Sequence, residues 1–193
     1  LKLGYLVAYN HADWSLQGED AFLGLKGLCA MEIVNGGSVR GGYSENLEFV
    51  YDRMLRDGQQ ICCLANDDNH NSDPNDDDSF IGYNVMYPDT LTYGDVFNCL
   101  KDGRLYASTG AVIRGVTIVD NKVIIGAENA DSIRFVTNGR KASRIVAKEK
   151  PLTSVQFDID DEYLTYFRIV VKSKEGTAYT KAFFRTEDKK GWK

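Results

Sequence analysis

The stretch Leu64-Ala65-Asn66-Asp67-Asp68-Asn69-His70-Asn71 decides how the rest of the chain is read. It continues an apolar run, Ile61-Cys62-Cys63-Leu64-Ala65, that ends abruptly in acidic residues and a histidine. Apolar runs of this length with polar ends are the pattern of buried strands in a parallel sheet. In α/β folds, ligands gather just beyond the carboxyl ends of such strands. On an extended backbone Asp68 and His70 leave the same face, because side chains alternate with a period of two. A carboxylate oxygen beside an imidazole nitrogen suits a divalent transition metal. An ordinary Asp-rich surface loop has the same composition, and Asp-x-His separates the two only weakly. An EF-hand is excluded. Asp67, Asn69 and Asn71 imitate its start, but Ser72 replaces the turn glycine and Asp78 the bidentate Glu.

Working outward, residues 1–10 (LKLGYLVAYN) form a second apolar run that delivers His11 at its end. The chain has only 2 histidines, and both follow expected strands. Residues 19–27 are expected as a short helix and residues 29–34 as a strand closed by Asn35-Gly36-Gly37. Within that strand Glu32 is a charge among apolar neighbours, which is costly unless it is paired. It either finds a partner in the core or reaches the strand end as a functional group. Ser44 is placed to cap a helix running to Arg56, with Leu47, Val50, Tyr51, Met54 and Leu55 on one face and Asp57-Gly58 as its stop. Residues 72–79 (SDPNDDDS) read as an exposed loop whose Asp76, Asp77 and Asp78 form a solvated charge run. A strand is expected over residues 80–87, then a helix opened by Thr92 and Asp95 and stopped at Asp102-Gly103. Strands alternating with helices predict a parallel sheet.

The texture changes after Arg104. Short runs are separated by Asp120-Asn121, by Asn138-Gly139 and by Glu175-Gly176. Phe167, Ile169 and Val171 alternate with Arg168 and Lys172. This predicts an antiparallel β-sandwich. The expected organisation is α/β followed by all-β: residues 1–110, a sandwich over 111–188, and a frayed tail over 189–193.

A net charge of −5 argues against nucleic acid held by bulk electrostatics. A phosphorylated small molecule stays compatible, since bound cations reverse the local field. No apolar run approaches the length of a membrane span. Cys29, Cys62, Cys63 and Cys99 lie among apolar neighbours at a spacing that fits neither a zinc ribbon nor a disulfide framework. They read as buried thiols of a reducing, cytoplasmic compartment.

In its whole order the chain resembles the polymerase and histidinol phosphatase (PHP) family of metal-dependent phosphoesterases, in particular members with a β-sandwich after the barrel. Asn10-His11-Ala12-Asp13-Trp14-Ser15 is similar to the family's histidine segment, with Ala12 where a proline is usual. Residues 27–36 are similar to its strand ending in Glu-x-x-Asn, carried here by Glu32 and Asn35. Residues 65–71 are similar to its last Asp-x-His metal motif. Residues 100–110 (LKDGRLYASTG) are similar to the segment leaving the barrel, and residues 166–171 to the last hairpin of the appended sandwich. The family's opening His-x-His motif lies upstream of everything seen here. The resemblance therefore implies the C-terminal part of a distorted (β/α) barrel plus the sandwich, an incomplete half of a longer protein.

It further implies hydrolysis of phosphate esters with Mn, Zn or Fe as cofactor. His11, Asp68 and His70 are the expected metal ligands, Asp68 and His70 also the catalytic pair. Glu32 and Arg104 are weaker substrate-side candidates; Arg104 reads equally well as a surface residue after a helix. A severed barrel would leave an open sheet edge that invites self-association. The alternative is a non-catalytic binding module, a degenerate barrel remnant whose sandwich binds carbohydrate or another ligand.

Overall fold

The computed structural model describes residues 4–70, 78–140, 142–188 and 190–193. The start of the first apolar run, Asn71, most of the acidic loop with Asp76 and Asp77, and Lys189 of the tail lie outside the described residues. Strand accounts for 39% of the described residues and helix for 15%, so the protein is predominantly β. It divides into two compact units, Leu1–Thr109 and Gly110–Lys193.

The first unit is built on three parallel strands in the order β1 (Ala8–Tyr9), β2 (Ala30–Asn35), β3 (Cys62–Asn66). They form an open sheet; no closed barrel exists among the described residues. After β2 come the short helix α1 (Gly36–Arg40) and then α2 (Glu48–Arg56). A hairpin of β4 (Tyr83–Met86) and β5 (Leu105–Ser108) encloses α3 (Tyr93–Asp102). Ala30, Cys62 and Leu105 form a buried cluster, with Cys29, Leu64, Met86 and Leu100 packed against it. All four cysteines are free thiols. No described helix is long and apolar enough to cross a membrane.

Several elements differ from expectation for identifiable reasons. The first strand shrinks to Ala8–Tyr9, preceded by Gly4 at φ 79°. Residues 19–27 yield only a 3₁₀ turn at Glu19–Ala21, because Gly24 and Gly27 are left-handed at 75° and 82°. The Asp57 carboxylate then accepts from Gly24 N at 2.6 Å and from Gln59, which holds its pKa below the usual range. Helix α2 starts at Glu48 rather than after Ser44. Ser44 N donates to Asp13 at 2.9 Å, while Asn46 Oδ1 accepts from Glu48 N. Its inner face buries Tyr51, Met54 and Leu55, and Tyr51 Oη donates to Ile61 O at 2.9 Å. Helix α3 follows expectation: Thr92 Oγ1 accepts from Asp95 N, and Gly103 closes the other end at φ 65°.

The second unit contains two antiparallel sheets. One is β10 (Leu152–Asp158), β7 (Lys122–Ala130), β6 (Ile113–Val119) in that order. In the other, β11 (Tyr166–Ser173) pairs with β8 (Ser132–Thr137) on one edge and with β12 (Gly176–Thr180) and β13 (Phe183–Phe184) on the other; β9 (Ser143–Val146) follows β8. Phe135 on β8 stacks on Phe157 of β10 at 5.2 Å and on Phe167 of β11 at 5.2 Å, joining the sheets through an aromatic core.

Asp120 and Asn121 take the left-handed turn between β6 and β7, at φ 46° and 58°. Asn138-Gly139, by contrast, does not make a two-residue hairpin. The connection from β8 to β9 spans residues 138–142, because the Asn138 amide is engaged with Tyr163 O and Thr165 N. The alternation expected along β11 also fails. Every residue from Tyr166 to Val171 is buried, Arg168 included, since this strand is paired on both edges and covered on both faces. Nor is the C-terminus frayed: Trp192 packs edge-on to Phe167 at 4.9 Å, and Lys193 exchanges two backbone hydrogen bonds with Phe184.

Candidate functional site

Because β1, β2 and β3 run parallel, their carboxyl ends lie on one side of the sheet. His11 follows β1 after one residue, Asn35 ends β2, and Asp67, Asp68 and His70 follow β3. Glu32 sits inward of them, 2% exposed. Its Oε2 accepts from His11 N at 2.8 Å and from Asn35 Nδ2 at 2.9 Å, and its Oε1 accepts from Asn66 Nδ2 at 2.7 Å. The buried carboxylate thus finds partners in the core, all of them amides. No basic side chain pairs with it among the described residues.

This network extends to both sides. Asn66 Oδ1 accepts from Asn84 Nδ2 at 3.0 Å, and the Asn84 amide meets the Ala65 backbone, donating to its O at 2.9 Å and accepting from its N at 3.0 Å. Asn35 Oδ1 accepts from Ser38 N at 2.7 Å and caps α1. Asp67 accepts from Phe80 N, Ile81 N and Gly82 N at 2.8, 2.7 and 2.9 Å. Those N–H groups are thereby withdrawn from strand pairing, which is why the strand expected over 80–87 begins only at Tyr83. Gly36 is required by close approach: a Cβ there would meet Asp67 O at 2.8 Å and Ile81 Cβ at 2.9 Å.

The two histidines are held by their Nδ1 atoms. His70 Nδ1 lies 2.7 Å from Asp68 O. A carbonyl can only accept, so Nδ1 carries a proton, and the tautomer consistent with this contact has its lone pair at Nε2. His11 Nδ1 lies 2.9 Å from Ser15 Oγ, and its ring meets Trp14 edge-on at 5.2 Å. Both His11 (φ 37°) and Asp68 (φ 52°) are left-handed. The extended backbone expected through Asp68 is therefore replaced by a reversal that turns its carbonyl toward His70. Histidine and aspartate are among the non-glycine residues that adopt this region most readily.

Asp68 and His70 are exposed and His11 is half-buried. Among the described residues no three His, Cys, Asp or Glu side chains converge into a group able to hold an ion. His11, Asp68 and His70 share one end of the sheet without forming a completed ligand set. Arg104 donates from Nη1 to Tyr87 O at 3.0 Å and to Asp89 at 3.3 Å, tying down the segment before α3.

Sequence reasoning passed over Asn66 and Asn84, whose amides carry the network. Asn66 was visible as a polar residue closing an apolar strand; nothing marked Asn84. Tyr9 was also missed. Its hydroxyl has no hydrogen-bond partner among the described residues, and burial pushes its pKa up. No family model, no curated protein and no solved structure matches this chain.

Proposed function

We propose that the first unit contributes one wall of a divalent-metal centre in a PHP-type phosphoesterase that hydrolyses phosphate esters. The observation that carries this is the His70 Nδ1 to Asp68 carbonyl contact at 2.7 Å. It selects the tautomer whose Nε2 is free to ligate, the arrangement found around metal-bound imidazoles. Asp67 and Asp68 beside it, and Glu32 beneath, give this end of the sheet a negative charge suited to a cation.

In this reading residues 1–110 are the C-terminal portion of a distorted (β/α) barrel and 111–188 a β-sandwich. His11, Asp68 and His70 hold Mn, Zn or Fe. Bound ions supply an activated water and neutralise phosphoryl oxygens. Glu32 acts from below, fixing the His11 backbone and the Asn35 and Asn66 amides, so that His11 is presented at a constant height. The substrate is a phosphorylated small molecule, the location cytoplasmic in keeping with the free thiols, and the outer edge of β1 is available for self-association.

Metal content per chain, by elemental mass spectrometry after purification without chelators, tests this. We expect near one equivalent of Mn, Zn or Fe, reduced at least about tenfold by Asp68→Asn or His70→Ala, as for loss of one ligand. Metal retained undiminished in both variants overturns the assignment.

A further inference from the structure

We infer that the second unit carries a preformed cleft for a single neutral sugar ring, between residues 138–140 and the segment from Asp158 to Leu164. The cleft encloses about 210 Å³. It is lined by the buried Phe135, Thr137 and Leu164 and by Arg140, Asp158, Asp161 and Tyr163, the last 78% exposed.

The rim is fixed before any ligand arrives. Asn138 Nδ2 donates to Tyr163 O at 3.2 Å and Asn138 Oδ1 accepts from Thr165 N at 2.9 Å. Asp161 Oδ1 accepts from Tyr163 N at 2.9 Å, and Arg185 Nη1 donates to Asp161 O at 3.0 Å. The backbone of the rim therefore needs little ordering on binding. Neither the Arg140 guanidinium nor the Asp158 carboxylate has a partner among the described residues, so donors and an acceptor are available together.

Charge and shape narrow the ligand class. Two carboxylates, Asp158 and Asp161, outweigh the single guanidinium of Arg140, which disfavours phosphate or a carboxylate ligand. The volume is below the roughly 300–1,000 Å³ of pockets for drug-sized molecules, and one pyranose ring is of the right scale. Vicinal hydroxyls are donors and acceptors at once and match a carboxylate beside a guanidinium. The apolar C–H face of a sugar packs against an exposed aromatic ring such as Tyr163. The inference does not depend on the phosphoesterase reading.

Saturation-transfer NMR of the full chain, with D-glucose, D-galactose, D-mannose, N-acetyl-D-glucosamine and L-rhamnose, tests it. A chelator in the buffer keeps the metal centre out of the measurement. At least one sugar is expected to bind saturably, with a millimolar dissociation constant. Asp158→Ala and Tyr163→Ala should each weaken it at least about tenfold. Both residues are exposed, and unchanged far-UV circular dichroism will show that the variants fold. Absence of saturable binding by all five sugars, or binding that survives both substitutions, overturns the inference. So does displacement of the sugar by inorganic phosphate.

Discussion

The two units place backbone strain differently. Among the described residues, the left-handed non-glycine positions of the second unit are Asp120, Asn121 and Asn129, residue types whose short polar side chains tolerate that region. In the first unit they are His11, Leu16, Asp68 and Phe80, and a leucine and a phenylalanine do not tolerate it cheaply. The cores differ in the same direction. The second unit is filled by Phe135, Phe157, Phe167, Phe183 and Trp192, in contact at 4.9–5.2 Å. The first is filled by aliphatic and small residues, Met31, Ile33, Met54 and Leu55 beside Ala30, Cys62, Cys63 and Ala65, and among the described residues each unit buries one charged side chain, Glu32 in the first and Arg168 in the second. The first unit gathers its buried carboxylate, His11 and Asp68 at the end of its parallel strands, where α/β folds place their ligands.

The largest effect expected from breaking this contrast is in the aromatic core. Phe167 is fully buried and touches Phe135, Phe183 and Trp192. Phe167→Ala should remove about 3–5 kcal/mol of stability. The chain's 2 tryptophans are Trp14 and Trp192, one in each unit, so urea unfolding followed by fluorescence in single Trp→Phe backgrounds can assign the loss. A larger shift in the Trp14 transition than in the Trp192 transition would contradict the assignment.

Glu32→Ala comes next. It leaves three donors, from His11, Asn35 and Asn66, without their acceptor. A loss of about 2–3 kcal/mol is expected, seen through Trp14 and accompanied by loss of metal. If stability falls while metal content stays constant, Glu32 is a packing group only.

The smallest effect concerns pH. Hydrogen bonds from Thr90 and Thr92 hold the Asp95 carboxyl below the usual range at the start of α3. A group whose folded pKa is depressed adds stability that is present above its unfolded pKa and is lost as pH falls through the folded one. Helix α3 should therefore lose helical signal only in acid, below the normal carboxylate range. Asp95→Asn should flatten that titration while leaving neutral-pH ellipticity nearly unchanged. An acid transition identical to wild type would sink this account.

Local chemistry was legible before the fold was known. Thr92 and Gly103 mark the ends of α3, and Asp120-Asn121 marks a hairpin, because caps and tight turns depend on residues adjacent in the chain. The apolar runs before Asn35 and Asp67 likewise announced β2 and β3. Ser44, Asn138 and residues 80–82 misled for one shared reason. Each had an ordinary local role available, and each had hydrogen-bonding groups engaged by a residue distant in sequence: Asp13, Thr165 and Asp67.

The candidate site divides along the same line. That His11, Asp68 and His70 follow strands of one sheet is a property of order and hydrophobic pattern, and the sequence alone determined it. That Glu32 is buried under three amides, that Asp68 turns its carbonyl to His70, and that β11 buries Arg168 were decided only in the folded chain. Hydrophobic periodicity records which face of a strand avoids water. It carries no information about which distant polar group will meet a buried donor or acceptor, and burial makes those pairings obligatory.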